Sequence, residues 1–254
     1  MAGRPYVLAE TNWKAIRETE FEVAILPWGA TEAHNYHLPY GTDTVQVHGV
    51  AVEAARLAWE EGEACLVLPP VPFGANAQQV DIPHTLNMNP TTQAFVLGDM
   101  VESLDAQGLS KLLILNGHGG NDFKPMVREL QARTEVFLCV MDWFRLPEVR
   151  DHFPDPGDHA GIAETSLMLH LAPDQVLPLS EAGSGESRAF KVKGLEEGWA
   201  WAPRNWVQVS RDTGVGNPAG ASKEAGENLF RALTRRVGSF LVDLARADLE
   251  DLYA

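Results

Sequence analysis

Cysteine, basic residues and long apolar runs are all scarce in this chain of 254 residues, and each scarcity excludes a class of protein. The two cysteines, Cys65 and Cys139, form no Cys-x-x-Cys pair, which excludes a zinc ribbon, and we expect both to be small buried side chains. Lys and Arg number 20 against 35 Asp and Glu, so the formal charge of −15 disfavours nucleic acid and anionic membranes as partners. No apolar run reaches the roughly 18 residues of a membrane span, and we see no signal segment, so we expect a cytoplasmic protein.

Short apolar segments of strand length alternate with segments of helical spacing. The strand-like runs lie at 23–26, 65–68, 112–115 and 136–141. Apolar residues at helical spacing predict helices over 43–60, 90–106, 123–132, 161–171 and 221–247. Strands that are apolar throughout and alternate with helices are typical of a parallel sheet covered on both faces. The sequence therefore predicts an α/β fold with a mostly parallel sheet.

Polar side chains suited to metal binding follow two of these strands. The segment 29–43, GATEAHNYHLPYGTD, contains four candidate ligands or acid–base groups: Glu32, His34, His37 and Asp43. Imidazole and carboxylate ligands together suit zinc, manganese or iron. The segment 116–121, NGHGGN, places His118 between glycines, which let the backbone pass close to an ion or a substrate. Because ligands of open α/β sheets bind beyond the carboxyl ends of the strands, both segments predict one shared site.

A third segment, 158–166, opens the predicted helix at 161 with the sequence DHAGIAETS. His159 precedes the helix, and Glu164 lies among apolar residues, where a carboxylate is less often idle. Residues 180–218 lack periodicity, are rich in Gly and Trp, and predict a long functional loop. Two alternatives stay open: ordinary turns with hydrogen-bonded histidines, or a small-anion site built on the backbone of 117–120 and 183–185. No Gly-x-Gly-x-x-Gly or Walker-type loop follows the first strand, which disfavours a nucleotide site.

Taken together, the three segments resemble the signatures of the creatininase (creatinine amidohydrolase) family in order and spacing, over roughly residues 10–175. The resemblance implies a three-layer α/β/α sandwich, a single domain over 1–254 and often a hexamer. It also implies two divalent metal ions per chain, zinc or manganese with iron as a further option, and hydrolysis of a non-peptide C–N bond. It assigns metal binding to Glu32, His34, Asp43 in the bridging position and His118, and proton transfer to His159.

The sequence departs from the family pattern in its loops. Creatininase itself carries a glutamate ligand at the position of Gly120, so Glu164 is the candidate for the missing carboxylate, as a ligand and a catalytic group. Other departures are Ala33 and Asn35-Tyr36 in the first signature and Pro83-His84-Thr85 in a later loop, so creatinine is not indicated as the substrate. The predicted substrate contacts are Tyr36, His84, Asn121 and Trp199.

The sequence-based prediction is therefore a metal-dependent amidohydrolase that cleaves a cyclic amide or formamide and acts as a homo-oligomer. The alternatives are a deformylase or peptide-maturation hydrolase on the same scaffold, or a non-catalytic relative that binds a small anion.

Overall fold

A computed structural model describes residues 3–254 and contains a sheet of four parallel strands in the spatial order β2-β1-β3-β4. The strands are β1 Val23–Trp28, β2 Cys65–Val67, β3 Lys111–Asn116 and β4 Phe137–Asp142. The helices are α1 Trp13–Arg17, α2 Thr42–Glu60, α3 Pro90–Ala106, α4 Lys124–Gln131, α5 Pro147–His152, α6 Ile162–Leu171, α7 Lys193–Glu196, α8 Trp206–Val209 and α9 Lys223–Arg246. The predicted parallel sheet is confirmed.

Helices cover both faces of the sheet, because each strand buries side chains on both sides. Ile25 of β1 belongs to a core cluster with residues of α2, α6 and α9, whereas its neighbour Leu26 packs with residues of α3 and α4. Alternate strand residues point to opposite faces, so a strand between two helical layers must be apolar throughout. Full burial of one such side chain contributes roughly 1.5–3 kcal/mol. The expected three-layer α/β/α sandwich is confirmed.

The helices differ from the prediction mainly at their ends and in the loop after α6. The helix predicted at 123–132 is Lys124–Gln131, and the one predicted at 221–247 is Lys223–Arg246. The predicted loop 180–218 contains α7 and α8, each of four residues. Asn205 stabilises α8 locally, since its side chain accepts a hydrogen bond from the amide of Gln208. Helices this short leave no detectable apolar periodicity in a sequence.

The order of the strands creates a crevice at the carboxyl ends of β1 and β3. From β1 the chain passes to β2 on one side, whereas β3 lies on the other side of β1, so this is the topological switch point. Trp28 and Asn116, the last residues of the two strands, lie opposite each other. The two polar segments of the sequence therefore leave the sheet at the same place. Within residues 3–254, none of the helices combines the length and apolar character needed to cross a membrane.

Candidate metal centre

The segment after β1 brings two carboxylates and an imidazole together in the crevice. Glu32, His34 and Asp43 are each at most 2% exposed. The Nδ1 atom of His34 lies 3.1 Å from the carbonyl oxygen of Glu32, and its Nε2 atom lies 3.0 Å from Oδ1 of Asp43. If Nδ1 donates to the carbonyl, Nε2 presents its lone pair towards the carboxylates. Such second contacts orient the histidine ligands of metal sites.

His118, which follows β3, completes the cluster from the other side. Its Nδ1 atom lies 2.9 Å from Oε1 of Glu32 and 3.1 Å from Oδ2 of Asp43. Its Nε2 atom lies 3.2 Å from the carbonyl oxygen of Ala75, to which it can donate. Asp43 thus lies between two imidazoles, with one carboxylate oxygen next to each. This is the arrangement of a carboxylate that bridges two cations.

The last residues of β3 and β4 hold the loop that carries His118. Asn116 accepts a hydrogen bond from the His118 amide at 3.1 Å and donates to the His118 carbonyl at 3.0 Å. It also donates to Oδ1 of Asp142 at 2.8 Å. The backbone of His118 is therefore fixed on both sides. The sequence reasoning missed Asp142, although its place at the end of a strand next to β3 is a usable signal.

Gly120 leaves no room for a side chain beside His118. A Cβ atom at this position would lie 2.3 Å from the carbonyl oxygen of Ala75 and 2.4 Å from Nε2 of His118. A glutamate therefore does not fit at residue 120 with this backbone. Glu164, in the first turn of α6, approaches the cluster instead and accepts a hydrogen bond from the amide of Ala160 at 2.5 Å.

Within residues 3–254, three groups of side chains bring possible ligand atoms within 4.8 Å of one another. Two of these groups share Asp43: the first adds Glu32 and His118, and the second adds His34 and Glu164. Close contact between α6 and α9 fixes the position of Glu164. A Cβ atom on Gly226 of α9 would lie 1.8 Å from the carbonyl oxygen of Ser166 in α6, so only glycine permits this crossing.

His159 belongs to the third group, with Glu32 and His34, and stacks on the latter at 4.2 Å between ring centroids. Its Nε2 atom lies 2.8 Å from the carbonyl oxygen of Ala33, and its Nδ1 atom lies 3.7 Å from Oε1 of Glu32. Burial, followed by the neighbouring His34, lowers the pKa of His159. An imidazole that stays neutral beside the carboxylates can accept and return a proton.

The electrostatics of the cluster favour a bound cation. Burial alone lowers the pKa of a histidine, but the carboxylates outweigh it, so the pKa of His34 rises to about 10 and that of His118 rises well above 6.5. Burial raises the pKa of Glu164 to about 7. Oδ2 of Asp43 has no hydrogen-bond donor among residues 3–254 when His118 is protonated at Nε2. A protonated His118 would satisfy this oxygen through Nδ1, 3.1 Å away, and a divalent cation would satisfy it in place of that proton. The residues therefore fit a metal centre.

A cavity of about 750 Å³ opens from this cluster towards the surface. The segment before α8 forms one wall, where Arg204 pairs with Asp158 at 2.6 Å and its guanidinium lies 4.5 Å from the ring centroid of Trp206. Trp206 in turn meets His159 edge-on at 5.3 Å. The sequence analysis did not assign Arg204 to the site, because Asp158, with which it pairs, lies in a distant segment.

The structure distributes the predicted substrate-binding residues unevenly. Asn121 lines the cavity, but its side chain already accepts from the Ala75 amide and from Gln93. The other three do not line the cavity, and their role stays a prediction: Tyr36, His84 and Trp199.

His37, the remaining candidate in the first segment, lies outside the three ligand groups. Its Nε2 atom is 2.9 Å from the hydroxyl of Thr165 in α6. The contact joins the loop after β1 to the helix that carries Glu164.

An α/β/α sandwich with histidines and carboxylates at the switch point of a parallel sheet is suited to binding divalent metals and activating water. The family model described as creatininase, creatinine amidohydrolase, matches residues 9–241. The chain belongs to the creatininase family.

Relatives within this family carry the names of more than one hydrolase. A mycofactocin precursor peptide peptidase from Mycolicibacterium smegmatis is 30% identical over 212 residues, covering 82% of this chain and 79% of the relative. A provisionally named creatinine amidohydrolase from Bacteroides fragilis NCTC 9343 has a crystal structure with a TM-score of 0.92 and 42% identity, covering 96% of this chain and 98% of that one. A structure described as creatininase Mn covers 95% of this chain and 99% of its own, with a TM-score of 0.76. At 22% identity, it shows a common fold.

Proposed function

We propose that the protein is a hydrolase that holds two divalent cations, zinc or manganese, and cleaves an amide C–N bond. The observation that carries the proposal is the position of Asp43, whose two oxygens face His34 and His118 separately. A single carboxylate shared by two ligand groups is what a two-metal site requires. The names of the relatives support both the metal and the hydrolytic reaction, since they include a peptidase and a creatininase described with Mn.

Each ion would have its own ligands around the shared carboxylate. Glu32 and His118 would complete one site with Asp43, and His34 and Glu164 would complete the other. When bound, the cations supply a water of lowered pKa and polarise the substrate carbonyl. The remaining work falls to side chains. Gln79 donates to Oε2 of Glu32, which directs Oε1 of that carboxylate towards His118.

His159 is the group that would transfer the proton to the leaving nitrogen. Its Nε2–H can donate to the carbonyl of Ala33, which leaves Nδ1 on the side of the carboxylates and free to take up a proton. Because its pKa is lowered, the imidazole is neutral at neutral pH, so it can take a proton from the attacking water and pass it to the leaving nitrogen. Trp206 packs edge-on against the ring, which is 7% exposed.

The cavity is large enough for an amide substrate bigger than a single small ring. A volume of about 750 Å³ lies within the range of cavities that take drug-sized ligands, roughly 300–1,000 Å³. A linear amide or a formamide therefore fits as well as a cyclic one, and the similarity to a peptidase keeps peptide maturation as the alternative.

We further propose a cytoplasmic homo-oligomer, with a hexamer as the expected size. Large aromatic side chains on the surface of the single chain support association, since Trp13, Phe95 and Trp201 are each more than 70% exposed. Light scattering on the purified protein measures the oligomeric state directly.

Replacing Asp43 with Asn tests the two-metal proposal. The variant keeps the shape of the side chain but removes the charge shared by both sites, so metal content and hydrolysis should fall together. Asp122→Asn is the matched control, because this residue lines the same cavity but belongs to none of the ligand groups. Elemental analysis should give two equivalents of metal for the wild type and the control. Two tightly held equivalents in Asp43→Asn would show that the carboxylate does not bridge.

A further inference from the structure

The cavity continues beyond the metal centre into a part lined by cationic side chains. We call this part the outer cavity and define it by Lys124, Trp143, Arg145, Arg150 and Arg204. These four basic residues come from α4, from α5 and the turn before it, and from the segment before α8. The chain as a whole is acidic, with a formal charge of −15, and acidic side chains line this cavity too, so the question is which of the four basic side chains lacks a carboxylate partner.

Two of the arginines already have a carboxylate partner, and Arg150 has none. Arg204 pairs with Asp158 at 2.6 Å, and Arg145 lies 3.3 Å from Asp142. Among residues 3–254, the Arg150 side chain makes no ion pair and no hydrogen bond. Its own helix carries two acidic residues: Glu148 pairs with Arg236 of α9, and Asp151, the next residue after Arg150, makes no ion pair within residues 3–254. The charge of Arg150 is therefore available to a ligand.

The unpaired guanidinium sets the chemistry of the ligand. Trp143 also lines the cavity, but it is 1% exposed and its Nε1 atom is buried, so this N–H is not available to a ligand there. The guanidinium of Arg150 offers only donors and favours a ligand rich in oxygen acceptors. A carboxylate is the best match, since a guanidinium can bind both of its oxygens at once.

The charge balance of the whole cavity also favours an anionic ligand once metal is bound. Six acidic and four basic side chains line it, a balance of −2. Two divalent cations would change this balance to +2. A positively charged cavity in an acidic protein attracts anions and disfavours cationic substrates.

We propose that the substrate carries a carboxylate, which Arg150 binds in the outer cavity while the scissile amide lies at the metal centre. The inference rests on the proposed function and names its substrate class: N-acyl amino acids and peptide-like amides with a free carboxylate, in place of a neutral cyclic amide. Arg150 is then a residue that determines specificity and takes no part in the bond cleavage itself.

The test compares two probes that differ only in charge, N-acetylglycine and N-acetylglycinamide. Their dissociation constants are measured by calorimetry on the metal-loaded full chain, for the wild type, Arg150→Gln and Arg133→Gln. Arg133 lies outside the cavity and is 68% exposed, so its variant changes the net charge by the same amount without touching the site. We expect the wild type and Arg133→Gln to prefer the carboxylate by about tenfold, and Arg150→Gln to lose the preference.

Every other outcome overturns the inference. A preference that persists in Arg150→Gln would place the carboxylate on the metal ions. The absence of a preference, or of binding of either probe, in the wild type would exclude the carboxylate substrate class. Metal content is measured on the same samples, so the two proposals fail separately. Two equivalents of metal without a preference refute only this inference, whereas less than one equivalent refutes the two-metal site.

Discussion

Gly120→Ala is the perturbation that tests most directly how His118 is held. The new Cβ atom would lie 2.3 Å from the carbonyl oxygen of Ala75 and 2.4 Å from Nε2 of His118. Ordinary contact begins near 3.4 Å, so either both groups or the backbone at residue 120 must move by about 1 Å. The same two groups form the 3.2 Å hydrogen bond that orients the imidazole, and a shift of this size breaks it.

The expected effect is a loss of metal affinity larger than the loss of stability. Removing the contact that orients a histidine ligand typically lowers metal affinity by about 10–100-fold. Inserting a methyl group into a packed site costs roughly 1–3 kcal/mol of unfolding free energy. Because His118 belongs to only one of the two groups that share Asp43, one of the two ions should weaken and the other should stay bound.

Gly119→Ala is a matched control in the neighbouring residue. A Cβ atom on Gly119 would meet nothing within 4 Å, and neither glycine has a positive φ, so backbone strain does not separate the two variants. Metal affinity is measured by competition with a fluorescent chelator, and stability by thermal unfolding of the metal-free proteins. Equal metal affinity in both variants would refute the reasoning, because the steric difference would then have no consequence for His118.

Two further predictions concern histidines near the cluster. His159→Ala should retain both metals and lose roughly 10²–10⁴ in turnover, and a parallel loss of metal would identify a ligand instead of a proton-transfer group. Burial lowers the pKa of His37 to about 4, below the 6.5 of an unperturbed histidine, so the unfolded chain binds more protons between these values and stability falls as the pH falls. The loss is up to about 3 kcal/mol. His37→Gln should flatten this part of the pH profile of chemical denaturation, and an unchanged slope would contradict a buried neutral His37.

The sheet and the cluster of candidate ligands could be predicted because their signals are local. Each strand of the sandwich is a continuous apolar run, and ligand side chains follow β1 within a single loop. The rule that parallel strands end at one edge then places His118 beside Glu32 and Asp43, 75 or more residues away in sequence. The structure brings these three together, with 2.9 Å and 3.1 Å between His118 and the two carboxylates.

The outer cavity could not be predicted, because its walls depend on contacts between distant loops. Asn35 accepts a hydrogen bond from the amide of Gly183 at 2.8 Å and donates to the carbonyl of the same residue, which ties the loop after β1 to the segment before α7. The amide of Asn35 also donates to the hydroxyl of Thr213 at 2.9 Å. These contacts hold the residues between Gly183 and Thr213 near the loop after β1, and Arg204 is one of them. The local sequence of 180–218 does not predict these hydrogen bonds, since neither periodicity nor charge distinguishes the residues that form them.

Gly120 shows how a departure from a family pattern acquires a physical meaning. In the sequence, Gly120 stands where creatininase has a glutamate ligand, and the missing carboxylate weakens the inference of a second metal. In the structure the backbone at residue 120 passes so close to His118 that no side chain fits, and the amide of Ala160 positions Glu164 next to His34 and Asp43. The structure thus offers a carboxylate from α6 in the place where the loop after β3 has none. If Glu164 has taken over this role, the ion that it binds depends on the packing of α6 against α9. A substitution at Gly226 that separates the two helices should then release this ion before the one held by His118.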